Sequence, residues 1–482
     1  MPTDPPPHPL NHPRARLLIV GLGVVAVPLD SSVNVAFPYI TGHFSIPVSD
    51  TRLIVVSFIL TTISLLLIAG RGGDVWGHRR VFQTGLMVSA GALALVAWAP
   101  TFTTLLAARV LQGLGGALLI GSGPALAIGL FPENRRGAVI GAYAMMFAFG
   151  TAVGPIIGGF LTNAWDWPAV FWYRVPIGLA ALVLSPLLPP SNTATGPRSE
   201  KPANFDFAGA VLLGAAVAAL FIALNLIWAG GLSWAGFAVL AALGFALFVR
   251  RQRRVPEPII DLAYFRQPWF SGFAAASVAV NMASFTVMLL TPFYLARIGG
   301  LGPGAAGLIL ASYAAGLALA ALATGRLLAR MDRGASGAAR AQAARLLVFA
   351  PLVNGAGLWL IGGWTSATGT GFMLGAMVLT GLGIGMFQAS YFYLVTGAMP
   401  RANRGVAASL AEMTRSSGSL AAASLLFELF RIRAAAASGG AGFLAGFGST
   451  LHWAAAISLA VFLLSFIASL GRGGGAKTKP SG

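Results

Sequence analysis

The sequence contains no cysteine and very few charged residues. Without Cys the chain can form neither disulfides nor thiolate metal sites, and thiol catalysis is excluded. Asp, Glu, Lys and Arg together make up 9% of the 482 residues, against roughly a quarter in soluble globular proteins. Hydrophobic residues make up 57%. This composition leaves no room for a large soluble domain and predicts an all-α polytopic membrane protein.

Acidic residues are the scarcer of the two charge classes. The chain has 13 Asp and Glu against 31 Lys and Arg, a formal net charge of +18. In a soluble protein this excess would suggest nucleic acid, but here the basic residues lie in short loops between apolar stretches, where they indicate topology. The sequence has no zinc-ligand set, no Gly-Lys-Ser/Thr phosphate loop and no aromatic-interleaved basic patch. We therefore expect membrane lipid and a small-molecule substrate as partners, with no nucleic acid, metal or cofactor.

Fourteen apolar stretches are long enough to cross a bilayer as helices. They lie at about 17–40, 52–70, 81–99, 104–130, 137–163, 168–189, 207–229, 233–249, 268–293, 304–325, 345–363, 371–398, 405–430 and 450–470. The predicted organisation is a disordered cytoplasmic tail (1–16), a six-helix bundle (17–189), a cytoplasmic linker (190–206), two inserted helices (207–249), a basic cytoplasmic loop (250–267), a second six-helix bundle (268–470) and a cytoplasmic tail (471–482).

The distribution of basic residues predicts the orientation. With the N-terminus inside, inner loops and tails hold 24 of the 31 Lys and Arg, whereas the outer loops hold four. This asymmetry places both termini in the cytoplasm. Short loops and an alanine-rich, lysine-poor composition favour a bacterial inner (plasma) membrane, in which we expect a multi-pass monomer.

The chain also contains an internal repeat. Residues Gln112–Gly137 align without gaps to Thr380–Gly405, with identities that include Gly113 with Gly381 and Arg136 with Arg404. Duplication within a polytopic chain is typical of transporters whose two halves surround a site near the middle of the membrane. The repeat unit is six spans, so the seventh and eighth spans are predicted to be an insertion.

The first predicted span carries a carboxylate at a depth where lipid does not tolerate one. Asp30 lies about fourteen residues into Arg16–Ile40, and Asn34 follows one helical turn later on the same face. A charge at that depth costs at least a few kcal/mol unless it is paired, hydrated or protonated. Asp30 is therefore a candidate functional residue.

Arg109 is predicted to lie at a depth similar to that of Asp30. It is about six residues from the outer end of the fourth span, and Gln112 shares its helix face. Burial favours the neutral acid whereas a neighbouring guanidinium favours the carboxylate, so Asp30 can titrate as its surroundings change. A proton carrier needs this property, although a static structural pair would give the same pattern.

Four local patterns resemble the major facilitator superfamily, and specifically its fourteen-helix drug:proton antiporter branch. They are LDSSVNVAFP (Leu29–Pro38), GRGGDVWGHRR (Gly70–Arg80), AARVLQGLGGA (Ala107–Ala117) and GTAVGPIIGG (Gly150–Gly159). The resemblance implies two six-helix bundles plus two inserted helices, with the fourth span as the proton-coupling helix. It departs from the branch pattern at Arg174, where relatives usually have Asn, and at Glu412, where they often have Asn.

The second and fourth patterns imply roles for two groups of residues. In the predicted loop after the second span, an acid would latch the inner side against a helix N-terminus near Gly405; a basic loop that only sets topology is the alternative. This latch comprises Asp74, Arg71, Arg79 and Arg80. In the fifth span, small residues would allow close packing that seals the two halves; generic membrane packing is the alternative. They are Gly150, Gly154, Gly158 and Gly159, with Pro155 among them.

The remaining candidates are less tightly tied to a motif. Glu412 and Arg415 lie three apart and either pair with each other or form a second acidic site for a proton or substrate. Arg174 is predicted to anchor at the outer interface, among aromatic residues. A mostly apolar substrate cavity is predicted from Asn34, Gln112, Met145, Phe149, Asn281, Phe285, Phe387, Gln388, Tyr391 and Arg415.

These observations predict a proton-coupled exporter of small amphipathic compounds rather than an enzyme. Alternating access would come from spans 1–6 rocking against spans 9–14; whether the compounds are cationic stays open. A proton symporter or facilitator for a polar solute is the alternative within transport. A polytopic enzyme or sensor would need a His/Asp/Glu cluster or an output domain, and the five His are scattered.

Overall fold

The computed structural model describes residues 13–131, 136–188, 206–228, 232–256, 258–259, 262–332, 337–398, 404–436 and 438–473. All regular structure in these ranges is helical, as predicted, and the α-helices are joined in places by short 3-10 or π turns. The chain divides into two compact units, one formed by the residues up to Ala263 with Leu301–Leu308, the other by Tyr264–Gly300 with Ile309 onward.

The described residues of the first unit form ten α-helices. They are α1 (Pro13–Val25), α2 (Val33–His43), α3 (Thr51–Trp76), α4 (His78–Ala97), α5 (Phe102–Gly129), α6 (Arg136–Trp165), α7 (Ala169–Trp172), α8 (Arg174–Leu184), α9 (Phe207–Leu226) and α10 (Ser233–Gln252). Thr101 caps α5, since its hydroxyl accepts a hydrogen bond from the backbone nitrogen of Thr104 at 3.2 Å.

The second unit is formed by the remaining helices, apart from the first turns of α12. They are α11 (Pro268–Arg297), α12 (Pro303–Asp332), α13 (Ala338–Gly362), α14 (Thr370–Ala398), α15 (Arg404–Ala421), α16 (Phe427–Ala434) and α17 (Gly439–Gly473). Proline occupies the first position of both α11 and α12, where its missing N–H has no intrahelical partner to lose.

Thirteen stretches of the described residues are long and apolar enough to cross a membrane. The first, Ala15–His43, is not one continuous helix, because a 3-10 turn at Pro28–Ser32 separates α1 from α2. The predicted span at 405–430 is also interrupted, by a π turn at Ala422–Leu426. It is absent from the thirteen because its charged residues lower its hydropathy.

The predicted loop Gly70–Arg80 is mostly helical, so this part of the prediction is wrong. Helix α3 continues to Trp76 and α4 begins at His78. The chain reverses at Gly77, whose φ of 93° is readily adopted only by glycine. Because no proline interrupts the stretch, α3 continues beyond residue 70, where the predicted apolar span ends.

The two inserted helices pack as a pair in the first unit. Gly244 of α10 lies so close to α9 that a Cβ there would be 2.8 Å from the Cβ of Ala216. Gly214 of α9 lies against the backbone of Ser64 in α3. At the start of α9 the buried Asp206 accepts hydrogen bonds from the backbone nitrogen of Gly209 (2.8 Å) and from Gln252 Nε2 at the end of α10 (2.7 Å). These contacts hold α9 and α10 together at the start of α9 and along their length, and they also attach α9 to α3.

Candidate functional site

Asp30 lies on the 3-10 turn near the middle of the first candidate span. Its carboxylate faces α5, where Arg109 binds it in a bidentate manner. Arg109 Nη1 donates to Oδ1 at 2.7 Å and Nη2 donates to Oδ2 at 2.9 Å. Two parallel charge-assisted bonds fix the orientation of both planes as well as adding energy. The predicted proximity of these two residues is therefore present in the structure.

Two further donors complete the contacts of Asp30. Arg174 Nη1 donates to Oδ1 at 2.7 Å and Gln112 Nε2 donates to the same oxygen at 3.0 Å. The predicted interfacial role of Arg174 is wrong, since its side chain is fully buried on this carboxylate. A buried carboxylate offers the guanidinium a stronger partner than the interface would. The predicted cavity residue Gln112 is also part of this cluster.

The two guanidiniums are held by groups other than Asp30. Arg109 Nε donates to the backbone oxygen of Ile54 at 3.1 Å, and its guanidinium carbon lies 4.6 Å from the ring centroid of Phe58. Arg174 Nε donates to the backbone oxygen of Val170 at 3.2 Å. Helices α3 and α7 thus hold the two cations of α5 and α8 in place independently of the acid, an arrangement suited to preorganised electrostatics.

The cluster has an uneven charge balance. Two guanidiniums surround one carboxylate, and Arg174 Nη2 is buried with no hydrogen-bond partner among the described residues. Asp30 keeps 15% of its side-chain area accessible, whereas the Arg109 and Arg174 side chains keep 2% and none. Of these three charged side chains, the acid therefore has the largest accessible fraction.

The glycines of α6 pack against the 3-10 turn that carries Asp30. A Cβ on Gly150 would lie 2.8 Å from Pro28 Cγ, and one on Gly158 would lie 2.5 Å from the backbone oxygen of Ser32. Gly154 lies between them, against Ser31. The predicted close packing is confirmed, and its partner is the broken segment of the first span. Sealing of the two halves stays a prediction.

Two more residues of the α6 motif are also closely packed, and hydrogen bonds attach the 3-10 turn to its neighbours. Gly159 lies against Pro303 and Gly307, in the short segment that groups with the first unit, and Pro155 is buried within α6. Ser31 Oγ donates to the backbone oxygen of Thr151 at 3.1 Å, and Tyr173 Oη donates to that of Leu29 at 3.3 Å. The turn is thus attached to α6 and to the chain before α8.

A polar network in the second unit contains several predicted cavity residues. Gln388 Nε2 donates to Asn281 Oδ1 at 2.9 Å, and Asn281 Nδ2 donates to the backbone oxygen of Ser277 at 2.8 Å. The Tyr391 hydroxyl lies 3.1 Å from the hydroxyl of Thr414. Phe387 and Tyr391 stack with their ring centroids 6.0 Å apart, and both are buried, while Phe285 on α11 is half-buried. Hydrogen bonds and ring stacking join these side chains, apart from Phe285, as a packed cluster.

Two glutamates of the second unit are paired with arginines. Glu412 and Arg415 form the predicted i, i+3 ion pair, and both are partly exposed. Glu428 is 1% exposed on α16, where it pairs with Arg431. Glu428 was not among the predicted residues, although a glutamate followed three residues later by an arginine inside an apolar stretch indicates such a pair.

The other predicted residues fall outside these clusters. Asn34 is buried on α2, and none of the hydrogen bonds found between described residues joins it to Asp30. Met145 and Phe149 are exposed on α6, at 67% and 62%. Of the predicted latch, Arg79 is half-buried and Arg80 exposed, and the side chains of Asp74 and Arg71 lie outside the described residues. A role for this latch stays a prediction.

Comparisons with known proteins agree with the fold and the motifs. A family model described as Major Facilitator Superfamily matches residues 20–423. The tetracenomycin C resistance and export protein of Streptomyces glaucescens is 31% identical over 407 residues, which is 83% of this chain and 72% of that protein. The riboflavin transporter RibZ of Clostridioides difficile is 28% identical over 295 residues, 61% of this chain and 63% of that protein.

A solved structure of a POT family transporter in complex with 5-aminolevulinic acid has the same fold. It superposes with a TM-score of 0.69 over 95% of this chain and 96% of that one, at 14% identity. The family model covers most of the chain, and the helical architecture is shared. The chain therefore belongs to the Major Facilitator Superfamily of membrane transporters, and is not an enzyme.

Proposed function

We propose that this protein is a proton-coupled antiporter that exports small amphipathic compounds by alternating access. The observation that carries the proposal is Asp30, a carboxylate near the middle of an apolar span that is held by two arginines and remains partly accessible. Ionisable residues within spans mark proton and substrate pathways more often than they mark packing.

The coupling step would be the gain and loss of a proton at Asp30. As an anion, Asp30 accepts four hydrogen bonds from Arg109, Arg174 and Gln112, so it ties the 3-10 turn to α5 and α8. A proton removes the negative charge of the acceptor and occupies one of its oxygens, so the bonds from the two guanidiniums become weaker. The turn would then be released from two helices at once, and the proton would come off when the site opens to the other side.

Export is the direction that one of the two named relatives supports. One of them is named for tetracenomycin C resistance and export. The sequence contains no Gly-Lys-Ser/Thr phosphate loop, so the proton gradient is the proposed energy source. We further propose a bacterial inner membrane as the location, with both termini cytoplasmic, and a monomer as the working form.

The test is substrate-dependent proton movement in inside-out vesicles whose interior is acidic. Ethidium, tetracenomycin C and riboflavin would each be added outside, with a luminal pH dye as the readout. Antiport predicts that at least one compound accumulates and raises the luminal pH, which vesicles without the protein do not show. Accumulation that proceeds equally after the pH gradient is collapsed with a protonophore would contradict proton coupling.

A second candidate is proton symport of an acidic or polar solute. It is favoured by the excess positive charge of the Asp30 cluster and by the buried, unpartnered Nη2 of Arg174. An anionic group bound there would favour the protonated form of Asp30, so proton and solute would move together. In the absence of an imposed gradient, symport predicts alkalinisation of the medium when solute is added outside, whereas antiport predicts acidification.

A further inference from the structure

Helix α10 ends in a concentration of positive charge that the proposed transport cycle does not use. Arg250, Arg251, Arg253 and Arg254 fall within five residues. Arg251 pairs with the buried Asp206. The other three are exposed and have no ion pair or hydrogen bond among the described residues. A pair with Glu257, which lies outside those residues, would still leave two guanidiniums free.

The free guanidiniums border a groove with an apolar wall. The groove has a volume of about 650 Å³ and is lined by Phe245, Ala246, Val249, Arg250, Arg253 and Arg254. From Phe245 to Arg250 an α-helix rises about 7.5 Å, so the lining changes from hydrocarbon to cation along the helix axis. A free anion would use only the cationic end of such a groove.

The groove lies on α10, which has the smallest buried share of all the candidate spans. Only 11% of the apolar window of α10 is buried, the lowest share among the thirteen candidate spans. Val239, Leu240, Leu243 and Leu247 are each more than half exposed. In a membrane this surface faces acyl chains, so the wall formed by Phe245 and Val249 continues into lipid.

Contacts between the start of α9 and the end of α10 hold the arginines in a defined position. Asp206 accepts from Gln252 Nε2 at 2.7 Å and from Arg251, while it caps α9 through Gly209. Arg251 and Gln252, which lie between Arg250 and Arg253, are therefore anchored to the start of the neighbouring helix. Less conformational freedom has to be lost when an anion binds.

We propose that Arg250, Arg253 and Arg254, with the wall formed by Phe245 and Val249, bind an anionic phospholipid. The guanidiniums would hold the headgroup phosphate in bidentate fashion, and one acyl chain would lie along the apolar wall. The chemistry selects an anionic over a zwitterionic headgroup, because a choline or ethanolamine cation would meet three guanidiniums. The proposal does not depend on the transport cycle or on the identity of its substrate.

The test is native mass spectrometry of the purified full chain in detergent, titrated with phosphatidylglycerol, phosphatidylcholine or inorganic phosphate. The altered protein is Arg250→Gln/Arg253→Gln/Arg254→Gln. The matched control is Arg326→Gln/Arg330→Gln/Arg345→Gln, which removes the same charge from exposed arginines that have no partner among the described residues. Each guanidinium in the groove is expected to contribute about fivefold to affinity, and the triple change about a hundredfold.

The expected result is a phosphatidylglycerol adduct on the wild type and the control that is lost from the groove variant. Phosphatidylcholine and inorganic phosphate should bind at least tenfold more weakly. Equal binding of both phospholipids, full retention by the groove variant, or phosphate binding as tight as phosphatidylglycerol would overturn the proposal. Because loss of basic residues can disturb insertion, Arg253→Gln/Arg254→Gln and Phe245→Ala provide milder variants, each expected to weaken binding in correctly folded protein.

Discussion

The two arginines on Asp30 should differ sharply in their contribution to stability. Arg109 donates two hydrogen bonds to Asp30, one to Ile54 and one to Gln112. Removing one partner of a buried ion pair typically costs about 3–5 kcal/mol. Arg109→Gln relieves the repulsion between the two guanidiniums just as Arg174→Gln does, so the two variants differ in the hydrogen bonds they lose, four for Arg109 and two for Arg174. We expect Arg109→Gln to destabilise the folded protein by about 3–5 kcal/mol.

Arg174→Gln should cost much less. It removes one charge-assisted bond to Asp30 and the bond from Nε to the backbone oxygen of Val170, together worth about 2–4.5 kcal/mol. It also removes repulsion from the other guanidinium, which is about 2–4 kcal/mol for unit charges 4–8 Å apart at an effective dielectric constant of about 20. Because the two effects nearly cancel, the net change should be within about 2 kcal/mol.

The assay is thermal unfolding of both variants, purified in the same detergent and followed by the monodisperse fraction that survives heating. The account predicts a clearly lower midpoint for Arg109→Gln and a small shift for Arg174→Gln. Equal losses, or a larger loss for Arg174→Gln, would refute the view that Arg109 is the main partner of Asp30.

Three further substitutions test the packing described above. Gly158→Ala should destabilise the folded protein by about 1–3 kcal/mol, because its Cβ would meet the Ser32 backbone at 2.5 Å. Gly91→Ala, with open space around it, should leave the stability unchanged. Equal melting temperatures of the two variants would contradict this expectation. Asp206→Ala should lower the midpoint through loss of a cap and an ion pair, by about 1–3 kcal/mol, and an unchanged midpoint would exclude that role. Gln388→Leu should destabilise the folded protein because it leaves Asn281 Oδ1 without a donor. In a double-mutant cycle, adding Asn281→Leu should restore part of the lost stability, whereas strictly additive losses would argue against the pair.

Much of the fold could be predicted from the sequence because apolar length and charge asymmetry are properties of local composition. The same is true of the contact between Asp30 and Arg109, since equal depth in two spans follows from counting residues. Gln112 joined the cluster because it shares the Arg109 face. The break at Pro28–Ser32 was not foreseen, although Pro28 stands at its start and cannot donate a backbone hydrogen bond.

The placement of Arg174 could not be predicted from its neighbours. Its flanking aromatic residues suggest an interface, and snorkelling arginines are common there. Only the tertiary fold shows that α8 begins at this residue, opposite the Asp30 turn. The capping role of Asp206 could be predicted from its place before an apolar helix. Its bond to Gln252 could not, because that bond depends on how α10 packs against α9.

The measurement that tests the central claim most directly is proton movement coupled to efflux in Asp30→Asn. The matched control is Asp50→Asn, at the N-terminus of α3, where the acid accepts only from Ser49 among the hydrogen bonds of the described residues. Both proteins would be reconstituted at equal density and assayed with the compound that the wild type moves. The account predicts that Asp50→Asn retains coupled efflux and Asp30→Asn loses it while remaining folded. Coupled efflux at the wild-type rate in Asp30→Asn would contradict the account.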